Sequence, residues 1–340
     1  MRLGKLVLAA VAGVSLAAVA QDGRTKLKVG LIPVPEHSKL VVAHDQGFFA
    51  QEGLEVELVE FANSADGMSA LRGGKTDAGS VGVTAPLVHI AKGAENIRLI
   101  GGLGGEGSAV VSKPELAARL ADVKGLKGLK VGTVRLSSSD AIVRAALAKE
   151  GVDWRKDLQV FELKSPPAVL EAVKSGEVDA GVVWAPFDLK AEEIGLKVAL
   201  RTGKLSPGHP CCRVAVLAED LARRPEVWKA YLKALLRAER FIAENHQATV
   251  DTVAKALKID PKLVERTIYG GDTEFSSDPN TKGIVLFWDA VKGSGFIESK
   301  QDIRSYVDAA PYKAALDSLA AAQPNDPFWQ ARLAQFKERD

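Results

Sequence analysis

Cysteine is nearly missing from this 340-residue sequence: there are two, side by side at Cys211 and Cys212. One adjacent pair cannot build the cross-linked framework that holds small secreted domains together, so stability must come from packing. A dominant sign of charge is also missing, with 45 Lys and Arg against 43 Asp and Glu. Arg2 and Lys5 account for the excess, and the remainder is neutral, which argues against nucleic acid or an anionic membrane as a partner. No Ser-His-Asp order, P-loop, HExxH or paired-carboxylate pattern stands out, so neither catalysis nor a cofactor is expected. After residue 20 no run is apolar for long enough to span a bilayer.

The apolar run that does occur is short and lies at the N-terminus. Arg2 and Lys5 precede an uncharged stretch from Leu6 to Ala20 that ends in Ala18-Val19-Ala20. This is the pattern of a secretory signal peptide, with cleavage expected after Ala20 and export to the periplasm. No cysteine follows the cleavage point to accept lipid. About 320 residues remain, and a 46% hydrophobic composition is enough for two cores.

Periodicity predicts an α/β order. Strands are expected at Leu27 to Pro33, Leu54 to Phe61 and Asp77 to Val83, with helices at Lys39 to Glu52 and from a cap at Ser64 or Asp66 through Leu71. Strands alternating with helices imply a parallel sheet with right-handed crossovers. The series then repeats: Leu27-Lys28-Val29-Gly30 returns as Leu129-Lys130-Val131-Gly132, and Asp77-Ala78-Gly79 as Asp179-Ala180-Gly181. One offset serves both strings, which predicts two units of related topology. A strand at Val214 to Leu217 and helices at Pro225 to Asn245, Ala248 to Leu257, Pro261 to Tyr269, Lys282 to Lys292 and Tyr312 to Ala322 are expected to return to the first unit. The division expected is a signal peptide at 1–20, a discontinuous first lobe at 21–120 and 215–340, and a second lobe at 121–214. The chain would cross near Lys113 to Leu129 and again near Gly203 to Ala215, and two crossings make a hinge.

Along nearly the whole mature chain the sequence resembles the taurine, aliphatic-sulfonate, nitrate and thiamine-precursor group of ABC-importer binding proteins. The resemblance rests on Leu31-Ile32-Pro33, on Ala43-His44-Asp45-Gln46-Gly47-Phe48-Phe49-Ala50-Gln51-Glu52-Gly53-Leu54, on Gly74-Lys75-Thr76-Asp77-Ala78-Gly79, and on the run from Gly176 to Pro186. It implies a two-lobed clamshell of the type II periplasmic-binding-protein kind, with parallel-dominated sheets. It also implies capture of a small solute, with a sulfonate-like organic anion expected, and delivery to an inner-membrane ABC permease by a chain expected to be monomeric.

Ligands of open α/β sheets bind beyond the carboxyl ends of strands. That places candidates at the first-strand exit (His37), the third-strand exit (Ser80, Thr84), the loop Arg135, Ser137, Ser138, Ser139, and Trp184. Serine hydroxyls and free backbone N–H groups at a helix start suit a sulfonate, carboxylate or phosphate, although Ser137 to Asp140 also reads as a plain helix cap. Trp184 serves equally as an apolar wall or a core residue, and His37 as an anion donor or a surface residue. Gly104 to Ser108 reads as a flexible turn or a close backbone approach.

The unusual segment is His209-Pro210-Cys211-Cys212-Arg213. Cys211 and Cys212, with Arg213 beside them, are expected at the cleft. They are small buried apolar residues, a strained vicinal disulfide, or a soft-metal or organometal site completed by His209. The segment also partly resembles the cysteine-rich motif of the fungal thiamine-pyrimidine synthases, which carry three cysteines followed by Phe-Gly. Here only two are present, followed by Arg213-Val214. An enzyme of that kind is the alternative function.

Overall fold

The computed structural model describes residues 23–340. The signal-peptide assignment falls on residues 1–20, outside the described part.

Two sheets organise the chain. The first has the order β11-β4-β10-β3-β1-β2, built from β1 (Thr25–Leu31), β2 (Leu54–Glu60), β3 (Ala78–Gly82), β4 (Ile97–Glu106), β10 (Pro210–Leu217) and β11 (Thr273–Glu274). The second has the order β7-β6-β8-β5-β9, built from β5 (Ser108–Ser112), β6 (Lys130–Val134), β7 (Gln159–Leu163), β8 (Ala180–Trp184) and β9 (Lys197–Arg201). Each has a parallel three-stranded core, and β10 or β5 runs antiparallel against its third strand. Four of the six strands and four of the five point the same way.

The repeat is visible in hydrogen bonds. Lys28 N–H donates to Asp77 Oδ2 at 2.7 Å, and Lys130 N–H donates to Asp179 Oδ2 at 2.8 Å. Val29 lies opposite Ala78, and Val131 opposite Ala180. In both units, therefore, the aspartate at the start of the third strand ties that strand to the first.

The sheets exchange strands. β4 ends at Glu106, and after Gly107 the chain enters the other sheet as β5; it returns through 202–209 into β10. Residues 108–112, expected with the first unit, thus lie in the second sheet, and residues 210–214, expected with the second, lie in the first. Periodicity missed this because the crossing occurs inside one glycine-rich run. That run is a strand, not a loose turn: a Cβ on Gly102 would lie 2.4 Å from the Asp278 carbonyl oxygen, so another backbone segment packs where a side chain would stand. Gly107 has φ 72°, a conformation that favours glycine.

Helices cover both faces of the first sheet. On one face Trp228, Tyr231, Leu232 and Leu235 of helix Pro225–Glu244 pack on Leu27, Val29 and Leu31. On the other, Ile284, Phe287 and Trp288 of helix Thr281–Gly293 pack with Val81, Ile97 and Leu99. The second sheet has one cluster around Val111, Val134 and Val173 and another around Val110, Val131 and Val182. The helix expected from Lys39 to Glu52 is two helices, Ser38–Asp45 and Phe48–Gln51, parted at Gly47 with φ 69°. Asn63, not Ser64 or Asp66, caps helix Ser64–Arg72, its Oδ1 accepting from Asp66 N–H at 3.0 Å.

Candidate functional site

The carboxyl ends of β1, β3, β6 and β8 meet between the sheets, and a cavity of about 30 Å³ lies there. That is room for one or two water-sized groups, so a larger compound enters only if the units part. Larger hollows, 450 Å³ between helices Ser138–Lys149 and Thr281–Gly293 and 610 Å³ beside Pro225, are lined by no buried polar group left without a partner. The small cavity has two such groups, Glu36 and His37.

A 3-10 turn, Pro35–His37, carries both residues off the end of β1. His37 is fully buried, and its Nδ1 accepts the Ile32 N–H at 3.1 Å. Burial, helped by the charge of Lys39, lowers its pKa to about 3, so the ring is neutral with its proton on Nε2. That Nε2–H has no acceptor. Glu36 is 2% exposed and neither carboxyl oxygen has a hydrogen-bond partner. Burial first, and the Cys211 thiol next, push its pKa well above the usual carboxylate range.

Two helices begin at the cavity. Ser64 opens helix Ser64–Arg72, and its Oγ accepts the Gly82 N–H at 3.0 Å. Ser137 caps helix Ser138–Lys149, its Oγ accepting from Asp140 N–H at 3.3 Å. Ser138 Oγ takes the Thr84 N–H at 3.4 Å and donates to the Cys211 carbonyl at 3.3 Å, joining the units across the cavity. Asp140 holds Arg144 through two bonds of 2.8 and 2.7 Å and stays out of the lining. Two helix starts and five serines thus border this space, a setting in which backbone N–H groups favour an anion.

Residues 20–258 match the NMT1-like family. The chain belongs to this family. It is 25% identical over 315 residues to the bicarbonate-binding protein CmpA of Synechococcus elongatus (strain ATCC 33912), covering 82% of this chain and 69% of that protein. Among solved structures, the ligand-binding component of an ABC-type import system from Staphylococcus aureus, with zinc bound, aligns with a TM-score of 0.74 at 18% identity, covering 86% of this chain and 99% of that one. The periplasmic aliphatic sulphonate-binding protein SsuA of Escherichia coli aligns at 0.69 and 19%, covering 83% and 92%. The fold is that of periplasmic binding proteins, and the relatives are solute-binding proteins of transport systems.

In this NMT1-like chain the cavity brings together seven of the residues singled out from sequence: His37, Ser137, Ser138, Ser139, Trp184, Cys211 and Cys212. Four lie elsewhere. Arg135 is exposed, close enough to His89 for its charge to lower that imidazole's pKa. Ser80 is buried within β3 near Tyr231. Thr84 meets the site only through its backbone N–H. Arg213 is buried with its Nη1 on the carbonyls of Gly104 and Cys212, at 3.1 and 2.8 Å.

Cys211 and Cys212 are free thiols with sulfurs 3.6 Å apart. Cys212 donates to Cys211, which makes Cys211 the more acidic of the two and raises Cys212. His209 does not join them, because its Nδ1 is engaged by the Ser206 carbonyl at 2.6 Å and it does not line the cavity. Among the described residues no three His, Cys, Asp or Glu side chains cluster as a metal site. The rest of the lining is Ile32, Val34, Glu36, Ser64, Gly82 and Ser108, none of which was singled out from sequence as a ligand residue. Ser64 had a signal, a hydroxyl at a helix start; Glu36 had none, since nothing local marks a glutamate for burial.

Proposed function

We propose that this chain is the solute-binding component of an ABC importer and that it encloses a small organic anion of the sulfonate type between its two units. The observation that carries this reading is the meeting of two helix starts, Ser64 from one unit and Ser137 to Ser139 from the other, at one cavity. Such starts favour an anionic oxygen, and only closure of both units surrounds it. Relatives named for bicarbonate and for sulphonate share oxyanion chemistry, which supports the same class here. In this reading the lobes are 23–107 with 210–340, and 108–209; export follows cleavage after Ala20, and the monomeric, loaded protein docks on a membrane permease.

A thermal-shift screen of alkanesulfonates, nitrate and bicarbonate tests it. A ligand at 100 times its dissociation constant stabilises the fold by about 2.7 kcal/mol. Scattering with the hit should show compaction, and a pulse of labelled ligand should leave one equivalent bound and chemically unchanged. Multiple turnover to a new product would replace the reading with an enzyme.

A further inference from the structure

Anion binding leaves the paired thiols at the cavity without a role. Cys211 and Cys212 line it side by side and are the only cysteines in the sequence, so neither has a distant partner within the chain. Their sulfurs lie 3.6 Å apart, with the Cys212 thiol donating to Cys211. That bond, helped by the charge of Arg213, lowers the pKa of Cys211 despite its burial, and it raises the pKa of Cys212. One thiol is therefore the better nucleophile and the other stands ready beside it.

The backbone at the pair also carries a contact between the two units. The Cys211 carbonyl belongs to the peptide that joins the cysteines. It accepts the Val83 N–H at 2.7 Å and, from the other unit, the Ser138 hydroxyl at 3.3 Å. Against β4, strand β10 shifts register on both sides of Cys212, so it is already irregular where the pair sits.

We infer that Cys211 and Cys212 are a redox modification site, closed to a disulfide between neighbours by exchange with a small disulfide, and that its closing loosens the contact between the units. The Cys211 thiolate attacks one sulfur of the small disulfide, forming a mixed disulfide and expelling a thiolate that takes up the proton Cys211 gave away. Cys212 then loses its proton and attacks the Cys211 sulfur, and the second small thiol leaves with that proton. Both cysteines are oxidised, and the small disulfide is reduced to two thiols. Neighbouring Cα atoms are about 3.8 Å apart across a trans peptide, whereas disulfides usually span about 4.4–6.8 Å, so closing the ring turns the peptide between the cysteines. The Cys211 carbonyl turns with it, away from Ser138. A bond strained in this way is reopened by excess thiol, which makes the change reversible. The chemistry depends on the pair and not on which ligand the cavity takes.

The test treats the reduced full chain with bis(2-hydroxyethyl) disulfide and follows intact mass, free thiols and X-ray scattering. The product should be lighter by two hydrogens, carry no adduct, show no free thiol after unfolding, and recover both thiols in 2-mercaptoethanol. Its radius of gyration should exceed that of the reduced chain. Cys212→Ser should stop at a single adduct on Cys211, because no second thiol resolves it. Cys211→Ser should react about tenfold more slowly, since its remaining thiol is the less acidic one and has lost its partner. A persistent adduct or a linked dimer in the unsubstituted chain overturns the site, as do two free thiols under conditions that modify the urea-unfolded chain. An unchanged radius in the fully oxidised chain overturns the loosening of the units.

Discussion

At the scale of single residues, burial gives neighbours in sequence opposite responses to pH. The folded state raises the pKa of Glu36, so the stability tied to it is present in acid and is lost as pH rises through its folded value. It lowers the pKa of His37 from 6.5 to about 3, so that stability is present above 6.5 and is lost as pH falls towards 3. At about 1.4 kcal/mol per unit, the His37 window is worth several kcal/mol as an upper bound. His37→Gln keeps an acceptor for the Ile32 N–H and cannot gain the proton. Urea denaturation between pH 7 and 3.5 should therefore show a shallower acid slope in the variant; an unchanged slope would mean that other groups set the acid limit.

At the scale of elements, the C-terminal helices are fastened to the first sheet by a buried ionic cluster as well as by apolar packing. Glu239, on helix Pro225–Glu244, accepts the Ser277 N–H at 2.6 Å, and lies 3.8 Å from Lys39 and 2.6 Å from Arg332 of helix Pro327–Arg339. Lys39 also donates to the Gly102 carbonyl at 3.2 Å and to Ser277 Oγ at 3.1 Å, and burial lowers its pKa to about 7 despite Glu239. Glu239→Ala leaves the buried Lys39 and the half-buried Arg332 without their anion and should cost about 3–5 kcal/mol. Combining it with Lys39→Met should recover part of that loss, since the stranded charge is then gone. Urea midpoints of the two single variants and the double variant decide this, and strict additivity would refute the cluster as a coupled unit.

At the scale of the whole molecule, the two units are also joined by contacts away from the cavity. Trp154, in the second unit, donates its indole N–H to the Ser294 carbonyl of the first at 2.9 Å, and Arg144 lies 4.3 Å from the Trp154 ring and 5.1 Å from Phe296. Arg201 joins Asp188 in its own unit to Asp272 in the other at 3.2 Å, and Asn63 Nδ2 reaches the Lys164 carbonyl at 3.3 Å. A hydrogen bond of this kind contributes about 0.5–1.5 kcal/mol, so Trp154→Ala should shift the balance towards the open form. Apparent affinity should fall about 2- to 10-fold with it, because affinity scales with the closed fraction. Scattering from the unliganded variant should give a larger radius of gyration. An unchanged radius together with unchanged affinity would show that Trp154 is not a latch.

The sequence by itself determined the two βαβαβ units, because strand alternation, helix periodicity and caps are local properties, and a single offset aligned Lys28 with Lys130 and Asp77 with Asp179. It also determined the family, through the Gly47-Phe48-Phe49 and Gly176 to Pro186 runs, and it pointed to the serine loop, Trp184 and the cysteine pair. It did not determine the crossing at Gly107, because β4 owes its glycines to a backbone segment more than 150 residues away. Nor did it determine which candidates meet. Arg135 and Ser137 stand two residues apart in one loop, yet one is exposed and the other lines the cavity. Tertiary structure alone decided that Glu36 is buried, since the burial that chiefly raises its pKa, and the Cys211 thiol that raises it further, come from chain segments far from it in sequence.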